Sequence, residues 1–116
     1  MTTIYGIANC DTMKRARAWL AEAGVDVAFH DYRKQGVDAA ILGDWADRVG
    51  WERLLNRAGT TFRKLPEAAK AGLDRDRAIV LMIANPSAIR RPVLVHGDGV
   101  EVGFDPARYA ALFGTD

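Results

Sequence analysis

The chain has 116 residues, with sixteen Lys and Arg facing fifteen Asp and Glu for a formal net charge of +1. That length allows one domain, 1–116, and with 49% of its residues apolar a core can form without disulfides or a structural metal. The balanced charge excludes bulk attraction to nucleic acid or an anionic membrane. The longest apolar run, Ala78–Ala84, is too short to span a bilayer, and the lone cysteine excludes an intrachain disulfide and the usual zinc clusters.

The opening MTTIYGIANCDT has no charged region followed by an apolar stretch, so no signal peptide is expected. With an unpaired thiol, that points to a cytoplasmic protein. Thr3–Ile7 reads as a first strand, loosened at Gly6. The polar cluster Asn9-Cys10-Asp11-Thr12 follows, and then a helix in which Met13, Ala16, Leu20 and Ala23 share a face. Asp11 is the expected N-cap, and Gly24 sits where the helix should end. Val25–Tyr32 alternates apolar and polar residues and reads as a second strand, parallel to the first across a right-handed connection.

Asp38–Leu73 is mostly helical in composition, with breaks at Gly59 and Pro66. Ala78–Ala84 fits either a buried strand or a buried helix, with a helix from Asp74–Arg77 to Pro86 slightly favoured. Pro92–His96 reads as a strand, Gly97-Asp98-Gly99 as a hairpin turn, and Val100–Phe104 as the returning strand. Asp105-Pro106 opens a last helix. The order is βαβ, a helical insertion over approximately 37–90, then ββα: an α/β protein with a mixed four-stranded sheet of thioredoxin type.

Cys10 falls between a strand and the first turn of a helix, where unpaired N–H groups and the helix dipole favour a thiolate. Lys14, one turn on, adds a positive charge. A reactive cysteine fits this place, against the alternative of a buried structural thiol. Arg91 precedes Pro92 at the head of a strand, where a cis bond could aim its guanidinium at a thiolate, an oxyanion or a carboxylate. The simpler alternative, favoured on pattern alone, makes Arg90 and Arg91 a solvated pair. His30 and His96 have no metal-ligand spacing and read as solvent-facing or edge positions, and Trp19, Trp45 and Trp51 as core or half-buried. Arg53, Arg57, Arg63 and Lys64 read as a solvated face from which one arginine could reach the cleft.

Two segments, Tyr5-Gly6-Ile7-x-Asn9-Cys10-Asp11-Thr12-Met13-Lys14 and Asn85-Pro86-x-x-Ile89-x-Arg91-Pro92-Val93-Leu94, together with Thr60–Leu65, resemble the ArsC family and more closely its YffB-like branch. The resemblance covers essentially the whole chain and supports a helix over Asp74–Asn85. It implies an arsenate-reductase-like chemistry in which a cysteine thiolate attacks the substrate and glutathione and glutaredoxin resolve the adduct. It makes Arg91 before a cis-proline the oxyanion-holding arginine, with Arg53 or Arg57 in the place of a second. The chain reads Cys10-Asp11-Thr12-Met13-Lys14 where arsenate reductases continue Cys-Gly-Thr-Ser-Arg, and Asp105-Pro106 replaces a third arginine.

The expected function is a glutathione-dependent thiol reductase or thiol transferase with Cys10 and Arg91 as catalytic residues. Asn9, Asp11, Thr12, Lys14, Arg53, Arg57 and Pro92 are the expected substrate contacts. No cofactor or metal is expected to be bound; glutathione is the expected co-substrate, a small thiol or oxyanion the substrate, and glutaredoxin a further partner. Two alternatives stand beside it: a non-catalytic regulator docking on RNA polymerase as Spx does, and a glutaredoxin-coupled arsenate reductase.

Overall fold

The computed structural model describes residues 1–114. Its contacts divide the chain into two units: Met1–Asp31 with the chain from Arg91 onward, and Tyr32–Arg90.

In the first unit, strand β1 spans Thr2–Gly6 and helix α1 spans Asp11–Glu22. The helix stops where the sequence places Gly24: its N–H donates to the Ala21 carbonyl and the Val25 N–H to the Leu20 carbonyl. This doubled closure requires the left-handed backbone that Gly24 adopts, with φ +73°. Strand β2 covers only Ala28–Asp31, shorter than the alternating pattern suggests. Val25 and Val27 still pack on the core, but from a connection rather than a strand. Strands β3 (Val93–His96) and β4 (Gly99–Val102) form the hairpin around Gly97-Asp98. The returning strand ends earlier than expected, and Phe104 packs on the core beyond it.

The sheet order is β2-β1-β3-β4, with β1 parallel to β2 and antiparallel to β3, and β3 antiparallel to β4. With its helices, this is a thioredoxin-like α/β fold with a mixed sheet. The last helix spans Pro106–Phe113, and Asp105 caps it by accepting from the Ala107 N–H at 3.0 Å. One core joins Ile4 and Leu94 from the sheet to Met13, Ala16 and Leu20 of α1 and Tyr109 of the last helix. Pairing Ile4 with Leu94 across β1 and β3 places both side chains on one face of the sheet.

The second unit is helical. Helix α2 spans Tyr32–Gln35, α3 Ala39–Val49, α4 Trp51–Leu54, α5 Thr60–Arg63, α6 Glu67–Lys70 and α7 Arg75–Ala84. Helix α8 is the last helix of the first unit. Helices α3, α4 and α7 pack on one another, and Leu42, Trp45, Leu54, Ile79 and Met82 are buried. The ambiguous apolar run is therefore helical. Asp74 caps α7 by accepting from the Arg77 N–H at 2.8 Å, and a short 3₁₀ turn at Pro86–Ala88 follows its end. Among the described residues, no helix is long and apolar enough to cross a membrane.

Candidate active site

Between the end of β1 and the start of α1, the chain turns through Ile7 to Cys10. Cys10 is the N-cap residue, with an extended backbone (φ −143°, ψ 127°), and its carbonyl accepts the first helical bond from the Lys14 N–H at 3.0 Å. The expectation that Asp11 caps the helix is corrected: Asp11 is its first residue, and its side chain is exposed. Cys10 is half-buried against the core that α1 shares with the sheet.

Met13 is buried in the first turn of α1, with its sulfur over Gly6 at the end of β1. A Cβ on Gly6 would overlap that sulfur, so glycine leaves the room the Met13 side chain occupies.

Arg91 comes from the far end of the first unit, joined to buried Pro92 by a cis peptide bond. The Pro92 carbonyl accepts from the Gly103 N–H at 2.8 Å, tying the start of β3 to the end of β4. The Arg91 side chain pairs with the Cys10 sulfur.

Partial burial pushes the Cys10 thiol up, but the opposing influences win and its pKa is lowered. These are the backbone N–H groups of Met13 and Thr12 and the hydrogen bond and charge of Arg91. The thiol closes no capping bond of ordinary geometry; the two amides face a sulfur whose charged form gains most from them. The arrangement favours the charged form of a partly accessible thiol, and the thiolate is the nucleophilic form of cysteine.

Arg90 and Arg91 do not act as a solvated pair. The Arg90 Nε donates to the Arg53 carbonyl at 3.0 Å, while Arg91 turns to Cys10. The cation acting on the thiol is Arg91 rather than Lys14, whose side chain is exposed. Thr12 is half-buried and Asn9 exposed. Arg53 and Arg57 belong to the Tyr32–Arg90 unit, both exposed, with the Arg57 guanidinium 5.2 Å from the centre of the Trp51 ring.

The histidines differ from each other. His30 lies on edge strand β2 with its ring 4.7 Å from that of Tyr5, its cross-strand neighbour. His96 is on an inner strand, half-buried, with Nδ1 2.6 Å from the Thr2 hydroxyl and its ring 4.5 Å from Phe113. Among the described residues, no group of three or more His, Cys, Asp or Glu could hold a metal. Sequence reasoning missed the amides of Thr12 and Met13 as named donors, and the Gly6–Met13 contact. A glycine ending a strand, followed by a large apolar residue in the first turn of the next helix, is the signal available for it.

The family model described as the ArsC family matches residues 5–112. The chain is 55% identical to the YffB protein, whose solved structure superposes with a TM-score of 0.94 over 96% of this chain and 97% of that one. It is also 55% identical to an arsenate reductase (ArsC) related protein from Brucella melitensis, with a TM-score of 0.76 over 97% and 93% of the two chains. The global transcriptional regulator Spx of Streptococcus pyogenes is 26% identical over 118 residues, covering 100% of this chain and 87% of Spx.

Proposed function

The chain belongs to the ArsC family, and from that premise we propose that it is a thiol-dependent oxidoreductase with Cys10 as nucleophile and glutathione as the external thiol. The observation that carries this reading is the lowered pKa of Cys10, with Arg91 beside the sulfur. Cys10 is the only cysteine, so a second molecule must resolve any disulfide it forms.

In the proposed cycle the thiolate attacks the glutathione sulfur of a mixed disulfide, R–S–S–G. A bond forms between Cys10 Sγ and that sulfur, the bond to R–S breaks, and R–S⁻ takes up a proton. The thiolate of a free glutathione then attacks the glutathione sulfur of the adduct, giving oxidised glutathione and the Cys10 thiolate. The R–S half of the mixed disulfide has been reduced to R–SH, and the one free glutathione has been oxidised, joining the glutathione already held as a disulfide. While Cys10 is in the neutral adduct, the Arg91 fork is available to a glutathione carboxylate. Asn9 and Thr12, on either side of Cys10 in the chain, are the proposed polar contacts for the substrate.

The test is treatment of the folded protein with oxidised glutathione, read by intact mass and peptide mapping. The reading expects one glutathione adduct at Cys10, removed by reduced glutathione, and slower adduct formation in R91A. An adduct that forms only after denaturation overturns it.

The similarity to Spx over the full chain favours one further reading, a regulator that docks on RNA polymerase without catalysis. Position 13 is Met13, so such a regulator would have no Cys-x-x-Cys switch. Co-sedimentation with purified bacterial RNA polymerase, equally strong for C10S, is the outcome that selects it. Turnover of arsenate with glutathione and glutaredoxin would narrow the enzymatic reading to arsenate reduction.

A further inference from the structure

Positive charge is concentrated in the second unit. Between residues 51 and 73, Arg53, Arg57, Arg63, Lys64 and Lys70 face only Glu52 and Glu67, in a chain whose net charge is +1. Two of these cations line a cavity of about 370 Å³ together with Phe62 and Leu73, a size within the usual range for ligand sites.

Each lining cation is positioned by an aromatic ring. The Arg57 guanidinium lies 5.2 Å from the centre of Trp51, and the Lys70 ammonium 5.5 Å from that of Phe62, both within cation–π range. Lys70 is further held by donating to the Arg63 carbonyl at 3.1 Å. Its side chain is only 18% exposed, and the nearby Glu67 carboxylate, 3.6 Å away, is 94% exposed. Such a solvated ion pair is weak and can exchange for another carboxylate.

We propose that this cleft docks an acidic peptide segment, with carboxylates on Arg57 and Lys70 and one apolar side chain on Phe62 and Leu73. A small oxyanion would use the two cations and leave the apolar residues uncovered; an acidic peptide bearing an apolar side chain engages all four. The site lies wholly within Tyr32–Arg90 and does not depend on the thiol chemistry proposed for Cys10.

The test uses the full chain and a fluorescein-labelled peptide of glutamates flanking one phenylalanine, read by fluorescence anisotropy. R57E and K70E should each weaken binding about tenfold or more, whereas K70R should retain it. K34E reverses a charge on exposed Lys34 of α2, which does not line the cavity, and should change affinity by less than about twofold. A peptide with glutamine in place of glutamate should lose binding, and added salt should weaken the acidic peptide. If K70E does not fold, R57E, at an exposed residue, decides alone. Equal effects of K34E and R57E, or undiminished binding of the glutamine peptide, overturn the proposal. Displacement by sulfate well beyond that by sodium chloride at equal ionic strength overturns it in favour of a small-anion site.

Discussion

Arg91, at the head of β3, supplies the sulfur of Cys10, at the head of α1, with both a hydrogen bond and a positive charge. The iodoacetamide alkylation rate, followed against pH, should therefore titrate below the free-thiol value of about 8.5. In R91A the midpoint should move up toward that value, and the rate at neutral pH should fall several-fold, to about tenfold. K14A should leave the profile in place, because Lys14 is exposed and the cation beside the thiol is Arg91. A midpoint unmoved in R91A would show that the amides alone hold the thiolate.

A lowered thiol pKa also makes stability depend on pH. Between the folded pKa of Cys10 and the unfolded value of about 8.5, the unfolded chain carries a proton that the folded one lacks, so stability rises with pH. The contribution is complete above the unfolded value and is lost as pH falls through the folded one. Urea unfolding across this range should show the gap between wild type and C10S widening with pH and then levelling. A constant gap would contradict the linkage.

Gly6→Ala tests the seat of Met13. The new Cβ meets the Met13 sulfur too closely to fit without movement, and overpacking of this kind costs about 1–3 kcal/mol. Thermal unfolding should show the loss. The alkylation midpoint should rise only if the shift reaches the Met13 backbone, whose N–H lowers the Cys10 pKa. A variant with an unchanged midpoint would separate the packing from the chemistry.

Tyr109 is fully buried, and among the described residues its hydroxyl has no hydrogen-bond partner. Burial, with the nearby Glu101 charge, pushes its pKa well up, so the hydroxyl stays neutral. Tyr109→Phe keeps the edge-on ring contacts to Trp19 and Phe104 and removes the unpaired group. It should be neutral or stabilising by about 1 kcal/mol in chemical denaturation. A loss of more than that would mean the hydroxyl is bonded.

Much of this architecture was legible in the sequence because its signals are local. Gly24 after a periodic apolar face, Gly97-Asp98 between β-branched runs and Pro106 after Asp105 each act within a few residues. The run Ala78–Ala84 was not legible alone, since its exposed large residues, Val80 and Ile83, are as apolar as its buried ones; the Asp74 cap is what marks it as a helix. Strand β2 ended early because Tyr32, though it continues the alternating pattern, is already the first residue of α2.

The candidate site was legible in its cysteine and less so in its arginine. Cys10 follows a strand and precedes a helical face, which is enough to place it at a helix start. The local signal that separates Arg91 from Arg90 is the Pro92 that follows it, but where the two side chains go depends on distant partners, the Arg53 carbonyl for one and the thiol for the other. His96 pairs with Thr2 through the β1–β3 register, a long-range relationship that composition does not encode.

The position of Cys10 at the start of α1 has a consequence for the second half of any thiol exchange. Whatever lowers the energy of the free thiolate also makes its sulfur the better leaving group when a bond to it is broken. The amides of Met13 and Thr12 and the charge of Arg91 therefore favour departure as much as attack. In the cycle proposed above, an adduct on Cys10 would be poised for release to the next thiol.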